Sequence, residues 1–311
     1  MSSAIYLNPD RLCAGRPTLP IARMTLFARS LLALFCLAFL LPPAHARATS
    51  GKRAAELATL RSSAVVILDA RTRKVLYQKN SSAVMPIASL TKLMTALVVL
   101  EAKQDMKQKL TVTRADIDRL KHSSSRLQVG TRLSRADMLH LALMSSENRA
   151  ASALGRHYPG GTRKLVAAMN AKARALGMTS TRYVEPTGLS RHNVSTPNDL
   201  AKLVVAAEKN RRIRRYSTDH RMVIRQGKSK SVYGNTNRLT SSANWRIRLQ
   251  KTGYISEAGR CMVLHALVKN RPTVMVFLDA QGKYSHAADA NRVRSWLTRF
   301  GVRAIAQAMK Q

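Results

Sequence analysis

Residues 87–102 read IASLTKLMTALVVLEA, from Ile87 to Ala102, and this stretch decides the fold. Leu93, Met94, Leu97, Val98 and Leu100 recur at helical spacing, which predicts an apolar helix over Ser89–Ala102, with Pro86 just ahead of it. Ser89 and Lys92 are three apart and therefore share one face, which sets a hydroxyl beside an amine at the helix start. A serine hydroxyl is a weak nucleophile until a base takes its proton, and a lysine does so only when neutral. Burial and a second nearby cation both favour the neutral amine. Backbone N–H groups at the helix start face any negative charge that develops there.

Outward from that helix, the pattern predicts an α/β chain: an antiparallel sheet flanked by helices, with an inserted helical lobe. Ser63–Ala70 (SAVVILDA) is a β-branched apolar run, hence a buried strand, and it turns through Arg71–Arg73 into Lys74–Gln78 as a hairpin. A helical lobe is expected from Arg114 to about Leu176, through Ala136–Met144, Asn148–Arg156 and Thr162–Leu176, broken at Pro159-Gly160-Gly161. Asp199–Asn210 reads as a further helix, with Ser195, Thr196 and Asn198 as candidate caps. Arg246–Gln250 leads into a strand beginning at Lys251. Cys261–Val268 and Thr273–Ala280 form an antiparallel pair, and Ala287–Phe300 closes the chain as a helix.

Two more short motifs follow the first in order. Ser146-Glu147-Asn148 falls at a turn in the lobe, and Lys251-Thr252-Gly253 falls near the last strands. Ser146 is placed to relay a proton to a leaving amine, and Asn148 to hold a substrate amide. Lys251 supplies the second cation and attracts a carboxylate, while Gly253 lets a peptide backbone approach the strand edge. Any one of these motifs arises easily by chance; the ordered trio does not. A second Ser-x-Asn, Ser242-Ala243-Asn244, lies too close to Lys251 to form another wall of a cleft. Glu147 reads as a solvated acid of the turn, and Cys261 as a small buried hydrophobe.

The trio resembles that of the penicillin-recognising serine hydrolases. The longer phrases LALMSSENRAASAL, YVEPTGLS and LQKTGYISEAGRC, with the opening stretch, are similar to the D-alanyl-D-alanine carboxypeptidase family, and most of all to its endopeptidase branch. The resemblance spans Ser63 to Phe300. It implies a β-lactamase/transpeptidase-like fold, with Ser89 as acyl-enzyme nucleophile, Lys92 as proton acceptor, and Ser146 and Asn148 completing the site. Lys251, Thr252 and Gly253 are then the substrate-binding strand, and the backbone N–H groups of Ser89 and Tyr254 the oxyanion hole. The implied partners are peptidoglycan stem peptides and cross-links, with β-lactams as covalent inhibitors and no cofactor or metal. Family members with a C-terminal amphipathic anchor carry an extra β-rich domain, and the end soon after Phe300 favours the soluble branch. A class A β-lactamase is the nearest rival. Glu185-Pro186 falls in a suitable loop, but Leu189 stands where those enzymes carry an asparagine, so slow release of a penicilloyl group is expected.

Composition sets the surroundings. The 311 residues are 45% hydrophobic, enough for a large core, and carry 53 Lys+Arg against 16 Asp+Glu, a net charge of +37. Leu31–Leu41 (LLALFCLAFLL) follows Arg29 and precedes Pro42-Pro43 and Ala44-His45-Ala46, the pattern of a signal peptide cleaved after Ala46. Met24 opens a normal leader by itself, so residues 1–23 are expected to be an over-extended start. Cleavage removes four arginines and one aspartate, leaving a charge of +34, and removes Cys13 and Cys36, leaving Cys261 unable to pair within the chain. The expected organisation is a leader over 1–46, a basic tether over 47–62, the catalytic domain over 63–300 and a short tail over 301–311, in a periplasmic protein. With 5% aromatics and an export signal, the run Arg211–Arg215 is a solvated face suited to an anionic envelope and not to nucleic acid. Gly227-Lys228-Ser229 lacks the first glycine of a phosphate loop, where Met222 stands, and neither His-Glu-x-x-His nor Gly-x-Ser-x-Gly occurs.

Overall fold

The apolar runs at the two ends of the domain form one sheet, seen here in a computed structural model that describes residues 57, 59–226 and 229–301. Strand β1 (Ser62–Asp69) bends back into β2 (Val75–Lys79), and three long strands follow much later, β3 (Arg246–Ile255), β4 (Gly259–Val268) and β5 (Arg271–Ala280). Their order across the sheet is β2-β1-β5-β4-β3, every neighbour antiparallel. The first strand therefore lies inside the sheet, against the last, which is central, with Val65 opposite Phe277 and Val66 opposite Val276.

Side chains alternate across a strand, and here both faces are covered, which is why β1, β4 and β5 read as unbroken apolar runs. Ala64 and Val66, Cys261 and Val263, and Val274, Val276 and Leu278 face the helical lobe. Val65 and Ile67, Met262 and Leu264, and Met275 and Phe277 face the closing helix α7 (Ser285–Phe300), through Val293, Trp296 and Leu297. Leu57 and Leu60 are buried in this second layer and Ser62 already belongs to β1. Packed structure thus begins inside the stretch expected to be a tether. The leader over 1–46 and the tail beyond Gly301 lie outside the described residues. Asp289 of α7 is fully buried and accepts from the backbone N–H groups of Arg61 and Ser62 and from the Ser62 hydroxyl, tying the closing helix to the start of β1.

Between β2 and β3 runs the helical layer: α1 (Thr91–Glu101), α2 (Arg135–Met144), α3 (Asn148–Arg156), α4 (Gly161–Ala175), α5 (Pro197–Glu208) and α6 (Arg211–Thr218). Every residue of α1 from Thr91 to Val99 is buried, so this helix is the axis of the lobe. The lobe proper starts at Arg135. Residues 114–131, expected as its first helical part, are loop apart from one 3-10 turn at Arg114–Asp116. Helix α5 starts two residues earlier than expected because Thr196 caps it, its side chain accepting from Asp199 N, with Pro197 at the first position. An additional hairpin pairs Arg221–Gln226 with Ser229–Gly234. Of Gly227-Lys228-Ser229, Ser229 opens the return strand, and Gly227 and Lys228 lie outside the described residues.

Candidate active site

The three motifs converge although they are up to 162 residues apart in sequence (Ser89 to Lys251). Ser89 lies in a 3-10 turn, Ala88–Leu90, immediately before α1. The cap position of α1 is Leu90, and no side chain caps the helix. The Ser89 hydroxyl is thus not spent on the backbone; it accepts from Lys92 Nζ at 2.8 Å. Lys92 Nζ also donates to Asn148 Oδ1 at 2.8 Å and to the Thr187 carbonyl at 2.5 Å. Asn148 completes the hold by donating through Nδ2 to Ser123 Oγ at 2.9 Å. The Asn148 amide thus bridges Lys92 and Ser123, and the same residue lines the cleft.

On the opposite side, Lys251 Nζ donates to Ser146 Oγ at 2.9 Å and to the Thr252 carbonyl at 2.8 Å. Thr252 Oγ1 and Thr236 Oγ1 are 2.6 Å apart. Both lysines are almost wholly buried. Burial lowers the Lys92 amine to about 8, although Glu185, Glu147 and Asp118 pull the other way. Burial, with Lys92 adding to it, holds Lys251 well below the usual lysine range. A neutral amine beside a serine hydroxyl is a competent base.

Backbone shape supplies the rest. Ala88 (φ 46) and Ser146 (φ 61) occupy the left-handed region, which a side chain disfavours, one on each flank of the cleft. Gly253 has a packing reason of its own: a Cβ there would sit 2.9 Å from Ser89 N and 3.0 Å from the Ala88 side chain. The absent side chain lets β3 dock on the nucleophile's turn. Gly188 (φ 85) is tighter still, with a Cβ falling 2.0 Å from the Ala88 carbonyl oxygen. Tyr254, one residue further along β3, is exposed beside the cleft with the Arg260 guanidinium 4.6 Å over its ring.

Ser89, Ser146, Asn148, Thr252, Gly253 and Tyr254 all line one cleft of about 530 Å³, with Lys92 and Lys251 buried behind its wall. All eight expected site residues are thus brought together. Sequence reading passed over the far wall, where Arg238, Arg260 and Lys283 make the cleft positive beside His286, whose imidazole is kept below the usual histidine range by burial and by Arg260. It also missed the Thr187 carbonyl and its support. The Glu185 carboxylate accepts from Thr187 N, Thr187 Oγ1, Gly188 N and Asn193 Nδ2, within 2.5–3.0 Å. These bonds occupy Glu185 with shaping a loop. Glu147 is nearly buried rather than solvated: it caps α3 by accepting from Arg149 N and takes a 2.7 Å bond from Ser125 Oγ. Cys261 is buried as expected, and burial pushes its thiol up to about 12.

Residues 50–282 match the D-alanyl-D-alanine carboxypeptidase family. The chain belongs to that family. A relative called D-alanyl-D-alanine endopeptidase in Pseudomonas aeruginosa is 47% identical over 253 residues, 81% of this chain and 82% of the relative. One of the same name in Escherichia coli is 43% identical over 281 residues, covering 90% and 89%. Among solved structures, a Streptomyces DD-transpeptidase superposes with a TM-score of 0.71 at 25% identity, over 76% of this chain and 97% of that one. A D-alanyl-D-alanine carboxypeptidase from Mycobacterium tuberculosis gives 0.68 at 25%, over 76% and 90%. This member of the carboxypeptidase family is accordingly a serine hydrolase of the transpeptidase-like fold. Among its described residues no helix is long and apolar enough to cross a membrane.

Proposed function

We propose that this serine hydrolase is a periplasmic DD-peptidase that opens D-alanyl cross-links in peptidoglycan, with Ser89 as its nucleophile. The 2.8 Å bond between Ser89 Oγ and a buried, neutralisable Lys92 carries the reading. Ser89 Oγ attacks the D-alanyl carbonyl carbon while Lys92 Nζ takes its proton. The carbonyl oxygen gains the negative charge and is received by the backbone N–H groups of Ser89 and Tyr254. The C–N bond then breaks as the proton that Lys92 took from Ser89 returns through the Ser146 hydroxyl, which Lys251 holds at 2.9 Å, to the leaving amine, so Lys92 is neutral again. Lys92 next takes a proton from the water that attacks the acyl carbon, and gives it to Ser89 Oγ as the ester C–O bond breaks. Thr252 and the cationic far wall receive the carboxylate next to the scissile bond.

The endopeptidase names of the two relatives quoted support cross-link cleavage over trimming of a terminal D-alanine. β-Lactams acylate the same serine, and their release is slow because Glu185 is engaged in its loop and Leu189 replaces the asparagine of class A β-lactamases. The leader and the net charge of +37 support export to an anionic envelope. Digestion of purified cross-linked muropeptide dimers tests the reading: monomers are expected from the wild type and none from Ser89→Ala. Ser89→Ala also loses covalent labelling by fluorescent penicillin, and labelling that survives rules out this nucleophile.

A further inference from the structure

Lys92 Nζ has three partners: Ser89 Oγ at 2.8 Å, Asn148 Oδ1 at 2.8 Å and the Thr187 carbonyl at 2.5 Å. An ammonium has one hydrogen for each of them. A neutral amine has two hydrogens and a lone pair, and it acts as a base only if the lone pair faces the serine. The Thr187 carbonyl can only accept, so it takes one hydrogen. The Asn148 amide has two faces. Turned with Oδ1 towards Lys92, it takes the second hydrogen and leaves the lone pair to Ser89. Turned with Nδ2 towards Lys92, it would donate into the lone pair and compete with the serine proton.

Which face Lys92 meets is set further out, in the loop that carries Asp118 and Ser123. Ser123 Oγ donates to Asp118 Oδ2 at 2.6 Å and accepts from Asn148 Nδ2 at 2.9 Å. Backbone N–H groups of Leu120, Lys121 and Ser123 also donate to the Asp118 carboxylate, at 2.8–3.0 Å. Burial works against this carboxyl, yet the bonds from Ser123, Lys121 and Leu120 hold it below its ordinary value, so it stays ionised and accepts only. The single hydroxyl hydrogen of Ser123 is thereby committed to Asp118, and its oxygen can only accept from Asn148. His122 takes the left-handed region (φ 52) to bring Ser123 back onto Asp118. We propose that Asp118 and Ser123 are positioning residues which, through the Asn148 amide, aim the lone pair of neutral Lys92 at the Ser89 hydroxyl.

This rests on the acyl-serine reading, and the test separates the two. The second-order rate of acylation by a fluorescent penicillin is measured from pH 6 to 9.5 on the full mature protein. Ser123→Ala leaves the backbone bonds to Asp118 in place. It also leaves the charged groups acting on Lys92, which are Glu185, Glu147, Asp118 and, on β3, Lys251. With the amide free to turn, the plateau rate should fall by about tenfold, the effect of one misplaced hydrogen bond. The midpoint should move below about 8, because protonated Lys92 loses a fixed acceptor. Ser123→Thr keeps the hydroxyl and should restore both. In an Asn148→Ala background, Ser123→Ala should change the rate by less than about twofold, since Ser123 acts through that amide. An unmoved midpoint in Ser123→Ala, or losses that multiply in the double variant, overturns the positioning role while leaving the hydrolase intact. Failure of wild type to be labelled at any pH overturns the acyl-serine reading and the positioning role with it.

Discussion

At the scale of single residues, the site works by controlling one proton. An ordinary lysine is neutral in only about one copy in three thousand at pH 7; at about 8 the fraction is about one in ten. Since the base acts when neutral, acylation should rise with pH, about tenfold per unit below 8, and level off above it. Measuring the second-order rate of penicillin acylation from pH 6 to 9.5 checks this, and a flat profile would contradict Lys92 as the base. Lys92→Arg keeps the charge but cannot deprotonate, so acylation should fall by about a thousandfold. These two residues were legible in sequence because their spacing on a helix is itself the geometry. The Thr187 carbonyl was not. A backbone oxygen has no residue type to signal it, and its position depends on how another loop folds.

At the scale of elements, that loop carries a carboxylate whose work the sequence did not show. Glu185 sits where a β-lactamase-like loop would carry an acid, yet its carboxylate is taken up by donors from Thr187, Gly188 and Asn193. Gly188 then packs on the Ala88 carbonyl, and the loop, the nucleophile's turn and Lys92 become one unit. Glu185→Ala should cost about 3 kcal/mol in urea unfolding, because several buried donors lose their acceptor together. It should also move the midpoint of the acylation profile below 8, since Glu185 is the leading charge that supports protonated Lys92. Deacylation should stay unchanged; a marked slowing would assign Glu185 to the water instead. The sheet, by contrast, was plain, because strands buried on both faces announce themselves as apolar runs. The hairpin of Arg221–Gln226 and Ser229–Gly234 was not, since Val223 and Val232 face solvent among arginines and lysines. Nothing in such a pattern separates a half-exposed strand from a loop.

At the scale of the whole molecule, the charge matters more than its arithmetic suggests. Of the 16 acidic residues, Asp69, Asp116, Asp199, Asp289 and Glu147 are buried and occupied with internal hydrogen bonds. The surface is therefore poorer in negative charge than the composition. Arg211, Arg212 and Arg215 on α6 and Arg221, Arg225 and Lys230 on the hairpin that follows are exposed together in sequence. Such a surface concentrates the enzyme on an anionic polymer through a field that salt screens, from a reach of about 10 Å at 0.1 M to about 3 Å at 1 M. Catalysis, in contrast, runs on lysines buried behind the cleft wall, where salt penetrates little. Raising salt from 0.05 to 0.5 M should thus weaken binding to anionic vesicles or purified wall by about tenfold or more. Over the same range, hydrolysis of a short soluble D-alanyl peptide should change by less than about twofold. Co-sedimentation and peptide turnover at each salt concentration separate the two. If they fall in parallel, the charge serves the cleft and not the envelope; if binding falls alone, the basic surface holds a hydrolase near a substrate too large to diffuse to it.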